Sequence, residues 1–437
     1  MDRQFPAAGP TRANVGLDAA NFFLADVRDG LGPYLAIYLL TIQKWDEASI
    51  GVVMSIATAA GIVAQTPAGG LIDATRAKRA VLIAAAIAVT AASLLLPLFV
   101  RFVPVAASQA AAHAAAAVFG PGLAAISLGI VGHAGFTRRI GRNESFNHAG
   151  NAFAATVAGA TAYLWGPTVV FYLIAAMSAA SLLSILIIPG RAIDNDLARG
   201  LHDRLDDQGK AAPDGDTPSG LRVLLTCRPL LIFAVAVVLF HLSNAAMLPL
   251  VGQKLALQDK NLGTTLMSAC IVAAQMVMVP MALLVGARAD RWGRKPLFLV
   301  AFLILPLRGC LYTLSDNQFW LVAVQTLDGV GAGLFGALFP IIVAYLMRGT
   351  GRFNVAQGAI LTAQGIGAAL STTLAGGVVV HAGYSAAFLT LAGVALVGAL
   401  VFFLGMPETF AREQESPRGR RGEKPVRASA TALHPAA

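Results

Sequence analysis

Long apolar runs separated by short polar stretches organise almost the whole chain. Residues 80–100, AVLIAAAIAVTAASLLLPLFV, contain no charge until Arg101. As a helix, that run is long enough to cross the hydrocarbon core of a bilayer. Similar runs predict helices near 17–41, 48–72, 80–100, 103–131, 147–165, 168–188, 224–252, 262–287, 296–314, 318–346, 354–380 and 384–405. Twelve spanning helices make this an all-α polytopic membrane protein, because helices satisfy their own backbone polar groups in lipid. The first run is too long, and too polar in its middle, to be a cleavable signal peptide.

The pattern repeats. Residues 189–222, rich in Asp, Arg, Gly and Pro, form the longest internal polar stretch and read as a linker. Across it, Asp73 and Asp290 each end a Gly-x-x-x-Asp step 217 positions apart, and Gly166 and Phe171 match Gly383 and Phe388 at the same offset. Pro33 and Pro249, and Gln109 and Gln325, are 216 apart. The expected domains are residues 1–188 and 223–405, two six-helix halves, with a basic tail at 406–437 expected to be disordered. Such halves are usual in secondary transporters, whose substrate site lies at the midplane between repeats. Phe146-Asn147 and Phe353-Asn354 are only 207 apart, which predicts a longer eleventh helix or following loop.

Composition agrees. Hydrophobic residues make up 57% of the 437 and charged residues 13%, about half the share of a soluble domain. The mean hydropathy is +0.69. The net charge of +9 would suggest nucleic acid in a soluble chain. Here 26 of the 32 Lys and Arg residues fall in the even-numbered loops and the two tails, and four in the odd-numbered loops. The positive-inside rule therefore places both termini and the linker in the cytoplasm, and no nucleic-acid partner is implied. Cys227, Cys270 and Cys310 are isolated and offer neither a disulfide framework nor a zinc spacing.

Between the predicted eighth and ninth helices, Gly286-Ala-Arg-Ala-Asp290-Arg291-Trp-Gly293-Arg294-Lys295 resembles the G-x-L-x-D-R-x-G-R-K motif of the major facilitator superfamily, with Arg288 in the Leu position. Its first-half counterpart runs from Gly69 through Leu71 and Asp73 to Lys78-Arg79, with Arg76 in the Gly position. The resemblance covers about 390 residues. It implies two pseudo-symmetric six-helix bundles that expose a central site alternately to each side. It also implies that Gly69, Asp73, Arg76, Gly286, Asp290, Arg291, Gly293 and Arg294 form a latch stabilising one access state. Physically, an Asp at a helix end can accept from a neighbouring helix N-terminus or from Arg. The competing reading of the motif is topology determination by positive charge alone. Two patterns of proton antiporters in this superfamily are absent. Gln109 and His113 occupy the positions of an Arg and a Gly in helix four. In helix five, Gly150 and Gly159 keep their spacing, but Tyr163 stands where a third Gly belongs.

Charges inside the predicted spans are the candidate chemistry, since one at the bilayer centre costs roughly 2.5–3.5 kcal/mol on the insertion scale. The first helix carries Asp18, Asn21, Asp26, Arg28 and Asp29. At 100° per residue, all but Asp26 share an arc of about 100°, and Asp26 lies about 60° off its edge. That arc is expected to face the bundle interior or a watery cavity. A carboxylate beside a cation there can gain or lose a proton as its surroundings dry or wet. Asp26 or Asp29 is thus the candidate coupling group, with Arg28 pairing it or contacting an anionic substrate; a static ion pair is the competing reading. His113, His241, Asn244, Asp328 and Gln364 are further candidates, Arg308 is expected to pair with Asp328, and Glu144, Asn147, His148 and Asn151 to line the inner mouth.

Gly331-Ala-Gly333-Leu-Phe-Gly336 spells a dinucleotide fingerprint, but no strand precedes it. No phosphate-binding G-x-x-x-x-G-K-[ST] loop occurs, so ATP-driven transport has no support, and neither a cofactor, a metal nor enzymatic activity is expected. The reading is a monomeric inner-membrane secondary transporter with the bilayer, protons and a small molecule as its partners. Proton-coupled export by antiport of small amphipathic or organic-anion compounds is expected. Proton symport that imports a small organic acid or sugar is the alternative.

Overall fold

The computed structural model of the chain describes residues 12–29, 32–166, 168–201, 220–258 and 260–409. Among these it is all helix and turn, arranged as two six-helix bundles. The first span comprises Arg12–Asp29 and Gly32–Thr41, the second Glu47–Ala74 and the third Lys78–Leu95. Phe102–Ala116 and 119–131 make the fourth, 133–165 the fifth and Val169–Ile187 the sixth. In the second half, Arg228–Asn244 with Met247–Gln258 form the seventh, Lys260–Trp292 the eighth, Arg294–Leu311 the ninth and Gln318–Leu346 the tenth. Residues 353–382 and 384–405 are the eleventh and twelfth. Among the described residues, eight helical runs qualify as membrane spans by length and composition, and two of these, Phe102–Thr161 and Phe353–Gly405, each hold two passes. Among the same residues the first and ninth helices do not qualify, and these carry the charges of the first helix and Arg308.

Glycines make the reversals, and they obey the repeat. Gly132 (φ 66°) joins the fourth and fifth spans, and Gly349 (φ 77°) lies 217 residues on, between the tenth and eleventh. Gly166 (φ 82°) follows the fifth span and Gly383 (φ 84°) the eleventh. Gly132 and Gly383 combine positive φ with ψ near 180°, a region closed to residues with a side chain. Two expectations are corrected here. The fifth span starts directly after Gly132, not near 147. Residues 133–146 look like a loop because they are polar, but Arg139 and Arg142 are paired with Asp18 of the first span. In addition, equal distances from Gly132 to Gly166 and from Gly349 to Gly383 show that the eleventh helix is no longer than its partner. Phe146-Asn147 and Phe353-Asn354 are not repeat-related.

Each half has a buried core, and that of the second continues into Ala124, Leu128, Phe136 and Ile140 of the first. In the second, Phe233, Phe240, Phe298, Phe302, Phe335 and Phe402 stack on one another. In the first, Leu17, Leu24, Ile72, Leu82, Phe119, Ile126 and Met177 are buried together. Large apolar side chains such as Val63, Leu98, Leu183, Phe319, Val380 and Leu404 are exposed, as lipid-facing positions are. The halves meet through the second and eleventh spans and through the fifth and eighth. The end carrying both loop motifs is called the motif end below. There, residues 188–201 form a strap with a short helix, Asn195–Ala198. The strap touches both halves: Asp194 N–H donates to Gly129 O, and Phe353 N–H to Arg199 O. The rest of the expected linker, 202–219, and the tail from 410 lie outside the described residues.

Candidate functional site

The interface between the halves is built at the motif end. Asp73, the last acid of the second span, is 4% exposed. One of its oxygens accepts from the backbone N–H of Asn354 (3.2 Å) and from its side-chain amide (2.8 Å), the other from Val355 N–H (2.9 Å). A first-half carboxylate thus caps the N-terminus of the eleventh helix, where four backbone donors would otherwise be orphaned. The charge also sits favourably against the helix dipole. In the second half Asp290 takes the other expected kind of partner. It accepts from Arg294 (2.9 Å) within its own motif and from Thr137 of the fifth span (3.1 Å). Arg294 also donates to Thr137 and to the carbonyl of Thr409. Arg76 and Arg291, the remaining motif cations singled out in the sequence, are exposed.

Small residues bring the backbones this close. A Cβ on Gly69 would overlap the carbonyl of Asn354, and one on Gly358 the carbonyl of Gln65. Across the other helix pair, a Cβ on Gly141 would lie 2.6 Å from both Ala282 O and Gly286 Cα. Gly293, with φ 91°, turns the chain into the ninth span. Further in, the Thr66 and Thr362 hydroxyls are 3.0 Å apart, Thr362 donates to Ile62 O, and His148 Nδ1 lies 2.9 Å from Gln275 Oε1. Together these contacts close the two halves on each other at the motif end.

Charges within each half are held separately. Asp18 is buried, accepts from Arg139, and accepts from Arg142 Nε (3.0 Å) and Nη2 (2.6 Å). Arg139 also donates to Asn143 Oδ1 (2.7 Å), whose amide donates to Ser127 Oγ (2.7 Å). These contacts bind the first, fourth and fifth spans. In the second half, fully buried Arg308 donates to Asp328 and, at 2.7 Å, to Asn244 Oδ1. Gln325 donates to the second oxygen of Asp328 (3.1 Å) and accepts from Tyr312. The network joins the seventh, ninth and tenth spans.

The remaining candidates fall in different places. The side chains of Asp26, Arg28 and Asp29 lie outside the described residues. Asn21 is buried and donates to Leu17 O (2.8 Å). His113 Nδ1 is 3.0 Å from Gln109 O and His241 Nδ1 3.1 Å from Val237 O. Carbonyl oxygens only accept, so both Nδ1 atoms carry protons. The His241 ring meets Phe335 edge-on, and His113 packs on Gly61. Gln364 is half-buried on the eleventh span. Within the fifth span the Asn147 amide lies 3.4 Å from Glu144 Oε2. Sequence reasoning did not find Asn354, Thr137 or Arg139. The one available signal was the i, i+3 pair Arg139 and Arg142, facing one way on a helix.

A profile of the Major Facilitator Superfamily matches residues 17–287 and 233–436. An uncharacterized MFS-type transporter of Mycobacterium tuberculosis, matched alike in strains CDC 1551 / Oshkosh and ATCC 25618 / H37Rv, is 57% identical over 402 residues, covering 92% of this chain and 95% of the relative. Among solved structures, the human organic anion transporter MFSD10 (TETRAN) superposes with a TM-score of 0.67 at 16% identity, covering 89% of this chain and 97% of that one. The proton:xylose symporter XylE bound to 6-bromo-6-deoxy-D-glucose gives 0.65 at 14%, covering 91% and 96%. With the motif in both halves, the repeat and the paired bundles, the chain belongs to the major facilitator superfamily: it is a multi-pass membrane secondary transporter and not an enzyme.

Proposed function

We propose that this transporter exports small amphipathic or organic-anion compounds in exchange for protons. It works as a monomer in the inner membrane, with the motif end and both termini in the cytoplasm. Halves 1–188 and 223–405 rock about a midplane site, and the Asp73 and Asp290 contacts latch the state closed to the cytoplasm. The charge distribution along the sequence supports the orientation.

One observation carries the coupling assignment. Asp18 and Asp328, the described acids deep within the two bundles, are each bound by arginine. Carboxylates committed to buried ion pairs of this kind suit a structural role, because breaking such a pair leaves an uncompensated buried charge. Proton exchange therefore falls to Asp26 or Asp29, with Arg28 as the cation that pairs it or receives the anionic substrate. Asn21, His113, His241, Asn244 and Gln364 are proposed to line the path. The likeness in fold to the human organic anion transporter MFSD10 accords with such a cargo. Symport-driven uptake of an organic acid or sugar is the second reading, favoured by Gln109, His113 and Tyr163 standing where antiporters of the family differ.

The test is a susceptibility and accumulation panel in an efflux-deficient host, with wild type, Asp26→Asn, Arg28→Ala and Asp29→Asn at matched expression. Export by wild type that a carboxylate variant abolishes supports the proposal. Raised accumulation with wild type selects uptake. Export surviving in all three variants makes the first-helix charges structural.

A further inference from the structure

A second site lies away from the central path. At the motif end of the first half, an open cavity of about 320 Å³ is lined by Arg76, Lys78, Arg79, Gly190 and Ile193. It sits at the start of the third span. Ala77 gives that helix no side-chain cap, so its first-turn N–H groups present positive potential. Arg79 is braced across the end of the sixth span, donating to Ile185 O (3.2 Å) and Leu186 O (3.0 Å). Its Nη1 is turned toward Gly190, 3.2 Å from where a Cβ would stand. Lys78 is anchored to Thr75 O and Asn195 Oδ1. The nearby acids are committed elsewhere: Asp73 to the eleventh span, Asp194 to the amides of Asp196 and Leu197, and Asp196 to Arg199.

The internal repeat shows what such a helix start holds. At the 217-residue offset, Lys78 corresponds to Lys295, Ala77 to Arg294 and Arg191 to Glu408. In the second half the Glu408 carboxylate sits on the start of the ninth span. It accepts from Arg294 N–H (3.1 Å) and Lys295 N–H (3.2 Å). The chain leaving the twelfth span thus delivers an anion to its own half. The chain leaving the sixth has Arg191 at the corresponding sequence position, and the first-half cavity is lined by Arg76, Lys78 and Arg79 with no carboxylate among its lining residues.

We propose that this cavity binds the phosphodiester headgroup of an anionic membrane lipid. Phosphate suits a helix N-terminus flanked by Arg and Lys. Basic pockets at the edge of a helical bundle take acidic headgroups. The lipid source is argued from the wall beside the cavity: Leu183, Leu186 and Ile187, on the last turns of the sixth span, are 64%, 57% and 48% exposed. They offer acyl chains a surface next to the headgroup.

The test uses delipidated full-length protein in neutral detergent, with melting temperature and native mass spectrometry as readouts. Phosphatidylglycerol, phosphatidylcholine, glycerol 3-phosphate and inorganic phosphate are titrated separately. Wild type is expected to bind phosphatidylglycerol at least five-fold more tightly than phosphatidylcholine and to melt higher with it. Arg76→Gln, at an exposed position that folding tolerates, is expected to remove most of that preference. Arg191→Glu places a carboxylate where the repeat has Glu408. It is expected to raise the lipid-free melting temperature and abolish the phosphatidylglycerol increment. Equal binding of the two lipids, or an undiminished preference in Arg76→Gln, overturns the proposal. A full shift from inorganic phosphate or glycerol 3-phosphate alone makes the site one for soluble phosphate and overturns the lipid assignment.

Discussion

Asp73 and Asn354 are 281 residues apart in the chain, and the Asp73 carboxylate receives the Asn354 amide at 2.8 Å. The same carboxylate takes two backbone N–H groups at the start of the eleventh helix. One acid therefore holds the second span of one half against the eleventh of the other. Under the proposed alternating access, this bond breaks when the motif end opens, and it then biases the equilibrium between access states.

Asp73→Asn keeps the shape and removes the charge. A hydrogen bond to a charged group is worth roughly 1.5–3 kcal/mol. Losing one such contribution moves the state equilibrium by about tenfold or more. Spin labels across the second and eleventh spans at the motif end are expected to report a longer distance in the variant, with the melting temperature little changed. An unchanged distance distribution would sink the latch role.

Gly69→Ala tests the same contact sterically. Its methyl group would overlap the Asn354 carbonyl, so the sealed state is disfavoured while each bundle still packs. Transport is expected to fall several-fold, with reactivity of a motif-end cysteine probe rising. Gly159→Ala is the control: nothing lies within 4 Å of its Cβ position, and better helix propensity is worth about 0.5–1 kcal/mol. It should match or exceed wild type in melting temperature and leave transport intact.

For Asp18, the two arginines differ in burial. The Arg139 side chain is 4% exposed and that of Arg142 54%. Solvent screening weakens the second pair, so Arg142→Ala is expected to cost under about 1 kcal/mol. Arg139→Ala leaves a buried carboxylate with less compensation and is expected to cost about 3 kcal/mol or more. Melting curves of purified protein check the order, and the reverse order would refute this account.

Arg308 and Asp328 form the corresponding test in the second half. Arg308→Met alone strands a buried acid and is expected to cost about 3–5 kcal/mol, visible as poor yield and early melting. Arg308→Met with Asp328→Leu removes both charges and is expected to recover most of that stability. Transport by the recovered double variant would assign the pair to structure; a folded but inactive double variant would assign Asp328 to the path.

The sequence exposed the spans unevenly. The third and sixth were plain because no charge interrupts them. The start of the fifth was hidden, since Arg139 and Arg142 look like part of a solvated loop until Asp18 is placed beside them. Polarity marks a loop only when the partner that neutralises it is unknown. The false pairing of Phe146-Asn147 with Phe353-Asn354 had the same origin: local identity was weighed without the glycine reversals that set the register. Asp73 and Asp290 were legible as a repeated feature, but their different partners were not.

By itself the sequence determined the twelve spans, the twofold repeat and the family. Bilayer thickness and the need to satisfy every backbone polar group act on each segment alone, so length and composition carry that information. Only the tertiary structure decided which end of the interface is sealed, that Asp73 caps the eleventh helix while Asp290 binds Arg294 and Thr137, and that Asp18 and Asp328 are bound by arginine. Those outcomes depend on how each helix is rotated and how deep it sits against its neighbours. Side-chain packing between distant segments sets both.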